Sequence, residues 1–379
     1  MAQKKQLKNI AKCRKRLKLV TMALGIWPQK NPNTNFYCIQ SYIVVVYLVI
    51  VYSAVLNFMY QNRHSFTIVL KGASLSLSFS IVTLKVVVFI YRRKKLREVE
   101  DIMEEILKSQ LRKSDELVTT MLGPLDYFAK HISFGIFFCG YAIGTVLYSF
   151  PIISLVKQHI NNVHPKKYTT PYPTIYPYEI VGGSTLWWAH FAFESILSFV
   201  FCSIGTCTDN LFGYYCSHIM SQFRALNYEM ENIKLDDQLK NNIKDIVIRH
   251  HKLINCCELL MEIYGEIVIV LLITTALILC CLVFQISQMT QITIGQVIWF
   301  TVYICYKLSQ ALIYAWAGEK VIEESEKFRM AIYTCSWETQ YRRDLGKYLI
   351  IMMSQRPVSF TACGIVSVDA KLFTSVSEL

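Results

Sequence analysis

Residues 37–60 read YCIQSYIVVVYLVIVYSAVLNFMY, a run with no charged side chain. About 18 or more such residues suffice to carry a helix across a ~30 Å hydrocarbon core. Five further apolar blocks follow at 65–91, 132–155, 180–212, 267–284 and 292–317, and a seventh begins near Val358. Only 17% of the 379 residues are charged, 53% are hydrophobic, and mean hydropathy is +0.33. A soluble domain averages about 25% charged residues. The pattern predicts an all-α, multi-pass membrane protein with seven transmembrane helices.

The connections alternate in charge. Lys and Arg number 30 in the N-terminus and in the connections after spans two, four and six, against 5 in the connections after spans one, three and five and at the C-terminus. Four more, Lys71, Lys85, Lys307 and Arg356, sit in or at the edge of spans. Basic residues collect on the cytoplasmic side, which predicts a cytoplasmic N-terminus and, after seven crossings, an extracellular C-terminus. That orientation excludes a G-protein-coupled receptor, and neither Asp-Arg-Tyr after span three nor Asn-Pro-x-x-Tyr in span seven occurs. The net charge of +12 is thereby assigned to cytoplasmic loops and not to a nucleic-acid partner. The opening MAQKKQLKNIAKCRKRLKLV resembles a signal-peptide n-region, but its apolar continuation is short and ends at Trp27-Pro28 without a small-residue cleavage site. It is read as a basic, helix-prone segment, 1–36, on the cytoplasmic side. Most of the 13 Cys lie within apolar blocks, as small hydrophobes, and no bridge is expected.

The cytoplasmic connections carry helical stripes. Leu96, Val99, Ile102, Met103, Ile106 and Leu107 form one, and the stretch 226–268 repeats the pattern and runs without proline into span five. Spans four to six are therefore expected to extend beyond the membrane and bury these stripes on one another. The outer connection 158–179 differs: HPKKYTTPYPTIYPYEI holds four Pro and four Tyr in seventeen residues, too proline-rich for a helix and long enough to fold over a vestibule.

No nucleophile elbow, His-Glu-x-x-His, P-loop or metal-spaced Cys pair occurs, so neither enzyme, metal nor cofactor is expected. His250-His251 and Cys256-Cys257 share one predicted helix as a weak metal candidate. Of the ionisable residues in spans, Lys85 is placed near the cytoplasmic end, able to snorkel, and Glu194 and Lys307 leave open a secondary transporter. Aromatics and hydroxyls in the outer halves suggest a pocket for a small hydrophobic ligand. Tyr141, Thr145 and Tyr148 share a face of span three, and Trp188, Phe191 and Ser195 a face of span four. Trp299, Phe300 and Tyr303 come from span six, and Ser74 and Ser78 from span two.

The last quarter carries Gln310 and Tyr314 before Gly318-Glu319, then Ser325, Ile332-Tyr333 and Trp337, the MMSQRP run with Gln355, Arg356 and Pro357, Thr361-Ala362 and Phe373. This resembles the insect odorant receptor family. The related gustatory receptors usually end in a Thr-Tyr…Gln-Phe pattern, which is not seen here. The resemblance implies an odorant-gated, non-selective cation channel in the plasma membrane of olfactory sensory neurons, built as a heterotetramer with a shared coreceptor. A compact stretch between spans four and five implies a tuning subunit. It also implies subunit packing through cytoplasmic helices, with 318–357 as the anchor half of span seven and Tyr314, Gly318, Glu319, Tyr333 and Trp337 as anchor residues. The membrane half, 358–379, would line the pore through Val368, Phe373, Thr374 and Val376. A family-typical start near Ser367 leaves 13 residues, roughly 20 Å of helix, short of a ~30 Å core. The outer pore lining is therefore expected to be missing.

Overall fold

The computed structural model describes residues 2–28, 35–233, 238–289, 293–335, 343–354, 358–364 and 366–368. It is almost wholly helical. The elements are α1 (Ala2–Ala23), α2 (Asn35–Gln61), α3 (Phe66–Tyr91), α4 (Arg93–Gln110), α5 (Asp115–Tyr127), α6 (Ser133–Ile160), α7 (Thr185–Glu231), α8 (Leu239–Ser287), α9 (Ile294–Thr334) and α10 (Arg343–Ser354). A π-helical turn, Phe128–Ile132, joins α5 to α6 into one rod. Among the described residues six helices are long and apolar enough to cross a membrane: α2, α3, the α5–α6 rod, α7, α8 and α9.

The last three are far longer than a crossing needs. With 47, 49 and 41 residues, α7, α8 and α9 reach about 60–75 Å at ~1.5 Å per residue, twice a ~30 Å core. Their polar halves project from the end of the bundle opposite the links after α2, α6 and α8. There α4 lays its stripe inward, with Leu96, Val99, Met103 and Ile106 buried. Ion pairs Lys95–Glu262, Arg92–Glu266 and Lys252–Glu105 stitch α4 to α8. At the centre α7 is surrounded by protein: every residue from Ile204 to Phe223 is buried, polar ones such as Asp209 and Asn210 included. It packs on α9, α6, α5, α8, α3 and α1.

Two boundaries differ from the sequence reading. Residues 318–334 do not begin a seventh span; they continue α9, because no proline or glycine-rich turn interrupts 294–334. Residues 358–364 and 366–368 are not helical either. They form a hairpin of β1 (Thr361–Ala362) and β2 (Val366–Ser367), paired Thr361↔Ser367 and Ala362↔Val366. Their burial explains this: Val358, Phe360 and Ala362 are buried while Ser359, Thr361 and Cys363 are exposed, a period of two and not 3.6. The turn uses positive φ at Cys363 and Gly364, which Gly tolerates without cost. Trp337, Phe373, Thr374 and Val376 lie outside the described residues.

Two glycines receive the hairpin. A Cβ on Gly318 of α9 would sit 2.1 Å from the Val368 carbonyl oxygen, and one on Gly265 of α8 would sit 3.1 Å from the Cys363 nitrogen. Val368, expected in the pore, is instead fully buried, its N–H donating to the Phe360 carbonyl at 2.7 Å. Gly318→Ala is expected to lower stability by about 1–3 kcal/mol through overpacking, read as thermal unfolding in detergent. Gly135→Ala, whose Cβ would meet nothing within 4 Å, should leave the transition unchanged or raise it.

Candidate functional site: an outer vestibule above a buried charge network

The links after α2, α6 and α8 gather around an open cavity of about 1930 Å³. Its walls are the ends of α2, α3, α6, α8 and α9, and its roof is the proline- and tyrosine-rich segment 164–180. Four prolines keep that segment from coiling into a helix, so its backbone groups seek partners on the bundle. The Ile175 N–H donates to the Ala54 carbonyl at 3.2 Å, and the Ile175 carbonyl accepts from Asn57 Nδ2 at 2.9 Å.

Glu194 of α7 is the other fastening. It is fully buried and accepts from the Tyr172 N–H at 3.2 Å, Thr174 Oγ1 at 2.7 Å and Tyr176 OH at 3.0 Å. A buried carboxylate needs several donors to offset lost hydration, and the roof supplies all three. Burial, with Glu194 beside it, holds the Tyr176 phenol well above its ordinary pKa, so it remains a donor. Glu194 thus secures the roof.

Of the residues read from sequence as ligand-binding, Ser74, Trp299 and Phe300 line the cavity. Tyr303 and Ser78 lie just beneath: Tyr303 OH bonds Ser78 Oγ at 2.7 Å and donates to the Ser74 carbonyl at 3.1 Å. The others face elsewhere. Tyr141 OH bonds Ser203 Oγ at 3.0 Å, Tyr148 packs on Phe199, and Thr145 is exposed with its hydroxyl on the Ala142 carbonyl. The cavity sees Val146, Leu147, Phe150, Pro151 and Ser154 of α6 instead. On α7, Trp188 is 53% exposed and Trp187 only 3%. Of these two, Trp187 lines the cavity. Phe191 stacks on Trp187 at 5.4 Å without lining the cavity, and the Ser195 hydroxyl bonds its own helix at the Phe191 carbonyl. On α7 the lining differs from the expected stripe by one residue, about 100° on a helix, and on α6 it lies on nearly the opposite face.

Below the floor is a network that the sequence reading missed in part. Lys85 does not snorkel; it is wholly buried and pairs with Asp209 of α7 at 2.5 Å. Asp209 also accepts from Tyr314 OH at 2.7 Å and Gln310 Nε2 at 2.8 Å. Gln310 Nε2 in turn donates to Tyr306 OH at 3.1 Å, and Lys307 Nζ donates to Gln310 Oε1 at 3.5 Å and lies over the Tyr303 and Tyr306 rings. Asp209 was detectable as the second acidic residue, after Glu194, inside the block 180–212. Its partners required the fold. Tyr314, expected at a subunit surface, is buried in this network, while Tyr333 is exposed at the far end of α9 and Glu319 is half-buried. Glu194 and Lys307 have separate sets of partners, so the pairing a transporter would use is not made. Among the described residues no group of three His, Cys, Asp or Glu could hold a metal, and the twelve cysteines whose side chains are described are free.

A protein-family model described as 7tm Odorant receptor matches residues 65–379. Odorant receptor 13a of Drosophila melanogaster is 23% identical over 225 residues, covering 54% of each chain. The odorant receptor coreceptor of Anopheles gambiae is 24% identical over 146 residues, 38% of this chain and 30% of its own. The chain spans about half the length of the first of these relatives, and less of the second. The solved olfactory receptor OR5 of Machilis hrabei superposes with a TM-score of 0.81 over 98% of this chain and 96% of that one, at 17% identity. Its complex with eugenol gives 0.79. At such identity the likeness is one of fold.

Asp209→Ala should cost about 3–5 kcal/mol, because Lys85 is left buried without its counter-charge. The double change Asp209→Leu with Lys85→Met should recover most of that loss, measured as the unfolding temperature of the purified protein. Recovery distinguishes a charge-pair defect from a packing defect.

Proposed function

This chain belongs to the 7tm odorant receptor family, and we propose that it is a tuning subunit of an odorant-gated, non-selective cation channel, assembled with a coreceptor in the plasma membrane of olfactory sensory neurons. Its N-terminus lies in the cytoplasm, as the charge asymmetry of 30 to 5 requires. The vestibule then opens outward, where an airborne molecule arrives.

The observation that carries this reading is the vestibule itself: an outer cavity that sets aromatic and apolar side chains beside polar ones such as Lys71, Gln285 and Gln296, above a hydrogen-bonded floor. Trp187, Trp299 and Phe300 offer faces for a small ring or chain, and the Ser74 hydroxyl and roof tyrosines offer hydrogen bonds. Such lining suits a ligand that is mostly hydrophobic with one polar handle. Eugenol, bound by the structurally similar Machilis receptor, is of that class. Gating follows as a population shift: the volatile must bind the open arrangement more tightly than the closed one. The exposed Tyr333 end of α9, together with α4 and α8, supplies the cytoplasmic surface for partner subunits.

In cells expressing this chain with a coreceptor, a volatile panel including eugenol should evoke cation current. Trp299→Ala should shift the effective concentration at least about tenfold, the loss expected from removing an aromatic contact of roughly 1.5 kcal/mol. Trp188→Ala, on the outer face, should leave it in place. Current unaffected by Trp299→Ala would move the ligand out of the vestibule.

A further inference from the structure

The first carboxylate in the chain is Glu98; the 97 residues before it contain none. Within that stretch α1 is amphipathic in an unusual way. Its apolar side, Ile10, Cys13 and Leu17, is buried where the helix packs on α5, the π turn and α7. Its arginines are engaged by protein: Arg14 pairs with Glu100 at 2.5 Å and Glu104 at 3.4 Å, and Arg16 lies over the Phe137 ring at 5.7 Å. Lys4, Lys5, Lys8, Lys12, Lys15 and Lys18 remain. All six are exposed, and among the described residues none has a carboxylate within ion-pair distance.

At 100° per residue those six fall in one arc of about 140°, opposite the buried stripe. In the middle of the arc sits Leu19, an apolar side chain 64% exposed. The position of this face relative to the apolar belt is set by hydrogen bonds. The Gly25 carbonyl, just past α1, accepts from Ser41 Oγ at 2.6 Å, near the start of α2, and from Arg93 Nη2 at 2.8 Å, just past the end of α3. Cys13 Sγ contacts Ser133 Oγ at 3.4 Å, where α6 begins. From Cys13 onward the helix therefore lies at the level where three spans meet the edge of the bilayer, while its first turns follow α5, with Asn9 Nδ2 donating to Asp126 Oδ1 at 2.8 Å.

We propose that the lysine face of α1 docks on anionic phospholipid headgroups of the adjoining leaflet, with Leu19 entering between them. A basic helix face beside a membrane crossing is drawn to acidic lipid, and an apolar residue among the lysines suits the headgroup boundary. Basic amphipathic helices are also targets of acidic clasp proteins, but those bind the apolar side, which here is covered by α5. The inference rests on the membrane placement of the chain and not on its ligand.

The test uses the full chain in nanodiscs of neutral phosphatidylcholine or of phosphatidylcholine with phosphatidylserine, labelled with an amine-reactive reagent and read by mass spectrometry. Labelling of the six lysines should fall about fivefold with phosphatidylserine, the factor matching about 1 kcal/mol per lysine at a charged leaflet, and should return in high salt. Lys240 and Lys244, exposed at the far end of α8, should not change. Equal labelling in both discs overturns the proposal, as does equal protection of Lys240 and Lys244, which would mean general adsorption. In a second arm, phosphatidylserine should raise the unfolding temperature of the native chain but not of a variant with all six lysines changed to glutamine. Protection in neutral discs by an acidic protein such as calmodulin, with none from phosphatidylserine, would assign the face to a protein partner instead.

Discussion

Asp209 lies on α7 where that helix is enclosed on every side, and its two carboxylate oxygens reach Lys85 of α3 and Gln310 and Tyr314 of α9. In a bilayer, apolar contact between helices gains little over contact with lipid, so packing detail and polar bonds decide which helices meet and in what rotation. A buried ion pair of this kind contributes less to net stability than to uniqueness, since any rotation of α3 or α9 would strand a charge. The walls of the vestibule inherit their orientation from that constraint. Tyr303 lies one turn above Lys307 and two above Gln310 on α9, and the hydroxyl that Tyr303 shares with Ser78 forms the vestibule floor.

The same helix holds the roof. From Glu194 at the vestibule to Asp209 at the centre, α7 offers one carboxylate to the outer segment and one to the bundle. Beyond it, Gly265 and Gly318 leave a slot into which the β1–β2 hairpin fits with backbone contact at Cys363 and Val368. Vestibule, charge network and hairpin thus lie along α9, with Trp299, Tyr303, Gln310, Tyr314 and Gly318 in succession. The vestibule at the top and the hairpin at the bottom share one element.

The places where sequence reading fell short follow from lipid as a solvent. In a soluble helix the polar side marks the outside, so period and phase are read together. Here both sides of α6 and α7 are apolar or aromatic, and the period was evident while the phase was not. Trp187 and Trp188 differ in sequence by nothing that would tell which faces inward. Distance from the span's end alone points Lys85 toward the cytoplasm, because Asp209, its partner 124 positions away, cannot be paired with it along the chain. The hairpin stands where the terminal motif set implies the start of a helix, although its alternation of buried and exposed residues has period two.

By itself the sequence determined the class of molecule: uncharged runs of membrane length, a one-sided distribution of Lys and Arg, and a terminal motif set that resembles one receptor family. It also determined that the outer segment 164–180 would not be helical, since four prolines forbid it. These are properties of composition and local sterics, legible within a window of some twenty residues. Only the tertiary structure decided which tryptophan enters the vestibule, that Glu194 fastens a roof, and that Asp209 joins three helices. Those outcomes depend on helix rotation, and rotation is set by contacts between residues far apart in the chain.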